Sequence, residues 1–236
     1  MRRFWRVLAI FLMGGVLGTG FGVANGVLVT VFKIPSLIAT LATSTIASGL
    51  GFMITGGVAY VGRLDAAFLF LGRGSILGVP ALIVWMAIAV LLALFLVKQT
   101  RTGIHMAATG EAEASARLAG IATRRMKLTG LALSGLGAAV TGLLLTASLS
   151  SASPTIAGEF LMTGIAAVLL GMTMIEPGRP NVPGTLIGAL IIGVISNGLT
   201  LLGAQYYVQD IVLGAIILAS VGISASQLRH AAFGVG

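Results

Sequence analysis

From residue 7 to residue 31 the chain carries no charged side chain. A helix crossing the hydrocarbon core of a bilayer needs about 20 mainly apolar residues, so this stretch is long enough to span. Comparable stretches recur at 36–55, 79–97, 128–149, 161–175, 184–202 and 208–224. In hydrocarbon a backbone must satisfy its own N–H and C=O groups, and a continuous helix does so within one segment. The expected fold class is therefore all-α: a polytopic transmembrane helical bundle of about seven spans, with a range of roughly six to eight. The fifth stretch is short and the second starts directly after Pro35, so either is open to tilt or breakage.

Composition agrees. Charged residues are 8% of the 236 positions, against about 25% in an ordinary soluble domain, and mean hydropathy is +1.08. A water-exposed surface cannot be built from so few polar groups; the solvent is lipid. The 34 glycines lie largely inside apolar runs, where small residues let helix backbones approach closely. There is no cysteine, which removes disulfide frameworks and thiolate metal sites. The opening Met1-Arg2-Arg3-Phe4-Trp5-Arg6 has the basic flank of a secretory signal, but the apolar run behind it is too long for one.

Net charge is +8, and its placement argues for membrane topology rather than for nucleic acid. Lys98, Arg101, Arg117, Arg124, Arg125 and Lys127 cluster in one segment. Basic residues flanking spans are retained on the cytoplasmic side, which puts residues 98–127 inside the cell. Alternating from there places 57–78, 150–160 and 205–207 outside. Lys33, 176–183 and the tail with Arg229 fall inside. The same count leaves the N-terminus outside although Arg2, Arg3 and Arg6 want it inside. The expectation drawn from this conflict is that a further helix belongs upstream. No long polar linker interrupts the chain, so residues 1–236 are expected to form a single transmembrane domain.

The catalytic inventory is nearly empty. The two histidines, His105 and His230, stand apart from any carboxylate cluster, and no GxxxxGK[ST] phosphate loop is present. Catalytic residues, metal ligands and a bound cofactor are not expected. No Asp, Glu, Lys or Arg sits mid-span; Asp210 and Glu159 lie near outer ends. Proton-coupled carriers bury such groups as relays, so the pattern suits a pathway whose energy arrives from elsewhere. Asn25-Gly26 and Asn197-Gly198 each fall late in a glycine-rich apolar run, a faint echo of the repeated halves of transporters.

One segment reads as water-soluble. Residues 102–123, TGIHMAATGEAEASARLAGIAT, are rich in Ala, Glu and Arg, which predicts a short helix over about 111–118. Gly110 and Gly120 stand as its start and stop. A solvated loop and a docking helix for a peripheral partner both fit; in the second, Ala112, Ala116 and Ala119 form a small-residue face for a cleft.

GEAEASARLAGI, followed by KLTGLALSGLGAAVTGLL, resembles the cytoplasmic loop and next helix of the ribose/xylose-type permeases of bacterial ABC importers, within the branched-chain-amino-acid/ribose permease superfamily. So do SPTIAGEFLMTGIAAVLLGMT, GRPNVPGTLIGALIIGVISNGLTLLG, YYVQDIVLGAIILASV and, near the start, NGVLVTVFKIPSLIATLAT. The resemblance runs from about Gly18 almost to the C-terminus, with the motifs in order. It implies a coupling helix at 111–121, with Gly110, Glu113, Ala114, Arg117, Gly120 and Ile121 matching the family pattern. Glu111 and Ala112 replace the usual Gly-Asn, and Glu176-Pro177-Gly178-Arg179-Pro180 replaces a more glycine-rich turn. It also implies a cytoplasmic ATP-binding subunit, an extracytoplasmic sugar-binding protein and a second permease subunit, identical or related, in a bacterial inner membrane. Family members carry further spans, with a GGIDLS-like motif, ahead of the segment matching Gly18; a truncated, mis-started or minimal chain is the matching expectation.

On that reading a monosaccharide or related polyol passes Asn25, Thr40, Thr43, Ser44, Ser196 and Asn197, whose amides and hydroxyls hydrogen-bond without fixed charge. Each of these side chains serves equally well as an interhelical hydrogen bond. Rival readings are an ATP-independent solute channel and a non-transporting fragment.

Overall fold

The computed structural model describes residues 2–61, 64–176 and 178–233, with side chains throughout except at residues 2–4, 157, 159 and 223–233. The expectations placed on the side chains of Arg2, Arg3, Glu159, Arg229 and His230, and on Pro177, lie outside the described residues. Within them the chain is almost wholly helical, and packing divides it into two compact units, Met1–Thr155 and Ile156–Gly236.

The first unit contains α1 (Arg2–Thr30), α2 (Ser36–Thr55), α3 (Ala66–Arg73), the two-residue strands β1 (Ser75–Ile76) and β2 (Val79–Pro80), α4 (Ala81–Gln99), α5 (Arg101–Glu111), α6 (Glu113–Leu118) and α7 (Thr123–Leu149). Its backbone is the α1–α7 pair, and glycine makes that pair close. Gly14, Gly18, Gly22 and Gly26 recur every fourth residue on one face of α1. A Cβ added at Gly18 would run into the Gly135 carbonyl and Ala139, and one at Gly22 into the Leu131 carbonyl. Gly135 is closed off by Gly18 in return. This is the small-residue packing expected where lipid supplies no hydrophobic drive and dispersion between close backbones must do the work.

At one end of this unit α3 lies across the end of α7. Asp65 caps it by accepting from the Ala67 N–H at 3.1 Å, Phe68 and Ala147 are buried, and Gly72 abuts the Ala147–Ser148 backbone. Arg73 Nε donates to the Ser148 carbonyl at 2.7 Å, and Tyr60 pairs with Ala152 through two backbone hydrogen bonds of 2.8 and 3.0 Å. The antiparallel β1–β2 hairpin feeds straight into α4. The expected outer segment 57–78 is therefore structured, with a helix and strands that its mixed composition did not reveal.

The second unit contains α8 (Ile156–Met174), α9 (Val182–Leu201) and α10 (Tyr206–Phe233). Asn181 caps α9, accepting from the Gly184 N–H at 2.7 Å, and Pro183 occupies the first turn, where its missing N–H costs nothing. Gly184 meets Gly171, and Gly188 meets the Ala167 carbonyl, so α8 and α9 also touch backbone to backbone. Ala166, Ala167 and Ile192 form the core, with Leu170, Leu213 and Ile217 against it.

All seven expected spans are helical. Five helices are long and apolar enough to cross a membrane: Trp5–Thr30, Ser36–Thr55, Ala81–Gln99, Thr123–Leu149 and Val182–Leu201. Phe160–Met174 and Tyr206–Gly222 are shorter apolar helices. Several boundaries move: α1 starts earlier, at Arg2, α8 starts earlier, at Ile156, α10 runs on to Phe233, and two further starts shift for a local reason. The span expected from 79 begins at Ala81, because Val79 and Pro80 pair with β1. The one expected from 128 begins at Thr123, because Arg124, Arg125 and Lys127 are already helical. Large apolar side chains such as Leu37, Leu91 and Val194 are exposed along these helices, as befits surfaces solvated by hydrocarbon or by further protein.

Candidate functional site

The expected docking segment is a broken helical hairpin. Thr100 opens α5, its hydroxyl oxygen accepting from the Gly103 N–H at 3.0 Å. α5 runs on through Gly110 to Glu111. Gly110 is thus not a helix start but lies inside α5; the break falls at Ala112, whose φ of −150° and ψ of 87° leave the helical region. Six residues of α6 follow, and Gly120 ends it at φ +81°, a left-handed backbone that glycine adopts without a Cβ penalty. The Ile121 N–H closes the turn on the Ala116 carbonyl at 3.0 Å.

One acidic side chain fastens α6 in place. Glu113 Oε2 accepts from Lys127 Nζ at 2.6 Å, and Oε1 from Arg117 at 3.2 Å. The hydrogen bond from Lys127 holds the Glu113 carboxyl below its usual range, and the Lys127 and Arg117 charges add to the pull against partial desolvation. Arg117 was legible at one turn's spacing. Lys127, fourteen positions along, was not, since only the α6–turn–α7 reversal brings it round.

The small-residue face is corrected. Ala116 is buried within this chain, so Ala112, Ala116 and Ala119 cannot together fill a partner's cleft. The outward face carries Ala114 and Leu118 instead, and Leu118 is 91% exposed. Glu111, Gly120 and Ala119 are exposed as well, and Ile121 is half-buried. Behind α6, toward the ends of α1 and α2, opens a cavity of about 850 Å³ whose walls include Lys33, Glu113, Arg117, Arg124 and Lys127.

Of the proposed pathway residues, Asn25, Thr40, Thr43 and Ser44 belong to the first unit, and Ser196 and Asn197 to the second. Thr43 Oγ1 lies 2.8 Å from Asn25 Oδ1 and donates to it, tying α2 to α1 and leaving the Asn25 amide N–H groups unpartnered among the described residues. Thr40 and Ser44 turn back onto their own helix, donating to the Ser36 carbonyl at 2.9 Å and the Leu41 carbonyl at 2.8 Å. Ser196 is half-buried and Asn197 exposed. His105 sits in α5, its carbonyl accepting from Thr109. No group of three His, Cys, Asp or Glu side chains able to hold a metal occurs among the described residues.

The family described as the permease component of branched-chain amino acid transport systems matches residues 1–221. The ribose import permease protein RbsC of Bacillus subtilis (strain 168) is 40% identical over 216 residues, which cover 91% of this chain and 67% of that protein. The same-named protein of Escherichia coli (strain K12) is 39% identical over 208 residues, 87% of this chain and 65% of its own length. The L-arabinose transport system permease protein AraH of Escherichia coli (strain K12) is 35% identical over 198 residues, 84% and 60% of the two chains. The chain spans about two thirds of the length of the ribose permeases it matches. No solved structure matches it.

Proposed function

Because this chain belongs to the permease-component family of branched-chain amino acid transport systems, as a multi-pass sugar permease of the ABC-importer type, we propose that it carries a monosaccharide or related polyol across a bacterial inner membrane under the drive of a separate ATP-binding subunit. The two packing units act within one permease domain, paired with a second permease subunit and fed by an extracytoplasmic sugar-binding protein. The motor seats on α6, through Gly110, Glu111, Glu113, Ala114, Arg117, Gly120 and Ile121. The observation that carries this reading is the fastening of α6 to α7 by Glu113 and Lys127. A short helix presented outward and clamped inward converts a push into movement of a spanning helix.

Ribose and L-arabinose, named for the relatives, are uncharged, and the proposed pathway residues offer neutral donors and acceptors to match. The half-buried Asn25 amide keeps N–H groups free to donate to a sugar hydroxyl.

The test is reconstitution in liposomes with the ATP-binding and sugar-binding partners. Glu113→Arg with Arg117→Glu sets the introduced guanidinium against the Lys127 ammonium, cation facing cation; uptake is expected to fall to about a tenth or less while the partner still hydrolyses ATP. Undiminished uptake in the double variant overturns the seating of the motor on α6. Sugar flux through liposomes holding this chain alone overturns the ATP-driven reading in favour of a channel.

A further inference from the structure

The cavity behind α6 gathers more positive than negative charge. Two long helices begin at its wall: Pro35 and Ser36 open α2, and Thr123 opens α7. Neither start has a side-chain cap, and both present the positive end of a helix dipole. In α2 the N–H groups of Ser36, Leu37 and Ile38 have no partner among the described residues, whereas in α7 only that of Arg124 is open, because those of Thr123, Arg125 and Met126 donate to the Ile121 and Ala122 carbonyls. No acidic residue occupies the first turn of either helix.

Side chains point the same way. Lys33, Arg117, Arg124 and Lys127 line the cavity against one carboxylate, Glu113. Both oxygens of that carboxylate are taken by Lys127 and Arg117, leaving Lys33 and Arg124 without an ion pair among the described residues. Lys33 is held at the wall by a left-handed backbone, φ 57°, a conformation disfavoured for a residue with a side chain. Thr123 also lines the cavity. It is 4% exposed, and its hydroxyl has no hydrogen-bond partner among the described residues. Among the described residues the fully buried side-chain polar atoms without a partner are Trp85 Nε1 and Ser150 Oγ; the Thr123 hydroxyl is instead reachable from the cavity it lines and free to donate into it.

We propose that this cavity binds the phosphate of an anionic phospholipid headgroup, with the Lys33 and Arg124 side chains, the Thr123 hydroxyl, the first N–H groups of α2 and the Arg124 N–H as its donors. The lipid source follows from position. The cavity lies where membrane-length helices α1, α2 and α7 end, which is headgroup depth, and basic pockets between spans on the cytoplasmic side suit such headgroups. Leu37 and Ile38, next along α2, are exposed and apolar, a surface for acyl chains. The site goes beyond the transport reading and is read out by lipid, not sugar.

The experiment uses the full chain in nanodiscs of phosphatidylcholine containing a minor fraction of phosphatidylglycerol, with retained lipid measured by native mass spectrometry. Wild-type protein is expected to retain phosphatidylglycerol preferentially. Lys33→Gln with Arg124→Gln is expected to lower that retention roughly tenfold or more, while Lys33→Arg with Arg124→Lys keeps it. Lys98→Gln with Arg101→Gln, an equal loss of charge outside the cavity, keeps it too. Equal retention by wild type and the Lys33/Arg124 glutamine variant overturns the site. Saturable binding of inorganic phosphate that displaces the lipid assigns the site to free phosphate and overturns the headgroup.

Discussion

Glu113 Oε2 and Lys127 Nζ lie 2.6 Å apart across a reversal that ends α6 at Leu118 and restarts helix at Thr123. That contact spans the joint between the segment proposed to receive the motor and the helix that packs along α1. Arg117, the other partner of Glu113, belongs to α6 itself and cannot transmit anything to α7.

The two partners therefore separate by mutation. Lys127→Glu is expected to lower uptake per ATP hydrolysed several-fold, by setting two carboxylates opposite each other. Adding Glu113→Lys restores most of it, because the pair is rebuilt with its signs exchanged. Transport and hydrolysis measured together in proteoliposomes check this; a double variant as poor as the single one rules out the pair as a link.

The pH dependence follows from the direction of the Glu113 shift. Its carboxyl is held below the ordinary glutamate value of 4.5, so the ion pair's stabilisation is fully present above that value and is lost as pH falls through the lower folded one. Uptake is expected to owe no change to this pair between about pH 5 and pH 8. Carboxyl-carbon NMR of Glu113 is expected to show a midpoint below that of an ordinary glutamate, moving up in Lys127→Ala. A midpoint that does not respond to Lys127→Ala contradicts the contact.

Glycines on one helix are expected to differ sharply. Gly135→Leu drives a side chain into the Gly18 backbone, and overpacking of this kind costs about 1–3 kcal/mol or more. Gly137, two residues on, faces open space, and Gly137→Ala is expected to be neutral or to stabilise by roughly 0.5–1 kcal/mol through helix propensity. Thermal unfolding in detergent, followed by size exclusion, compares the two.

The absence of cysteine makes orientation directly measurable. Leu118→Cys and Leu77→Cys stand at sites 91% and 100% exposed. In intact cells a membrane-impermeant maleimide is expected to label position 77 and to spare 118, with the pattern reversed in inside-out vesicles. The opposite pattern refutes the orientation assigned from Lys98–Lys127.

The spans were legible because each needs only a long apolar run, and hydrocarbon leaves the backbone no alternative to helix. The broken helix of the docking segment was half legible. Gly120 ended α6 as read, since a left-handed turn favours glycine. Gly110 misled, because a glycine with open space around it is tolerated inside a helix, while the real break fell on Ala112, whose residue type gives no sign of it. Ala116 was placed outward by helical spacing alone, and spacing cannot tell which face meets the rest of the chain. Lys127 and the cavity around Lys33 and Thr123 were invisible for the same reason: they exist only after α6 folds back beside α7.

Leu118 carries a consequence for the cell. A branched aliphatic side chain almost wholly bare beside exposed Ala114 gives the proposed docking face an apolar centre for the ATP-binding subunit to cover. Synthesis of the two subunits in matched amounts would keep that surface covered, and orphaned copies would be the ones that quality-control proteases remove first.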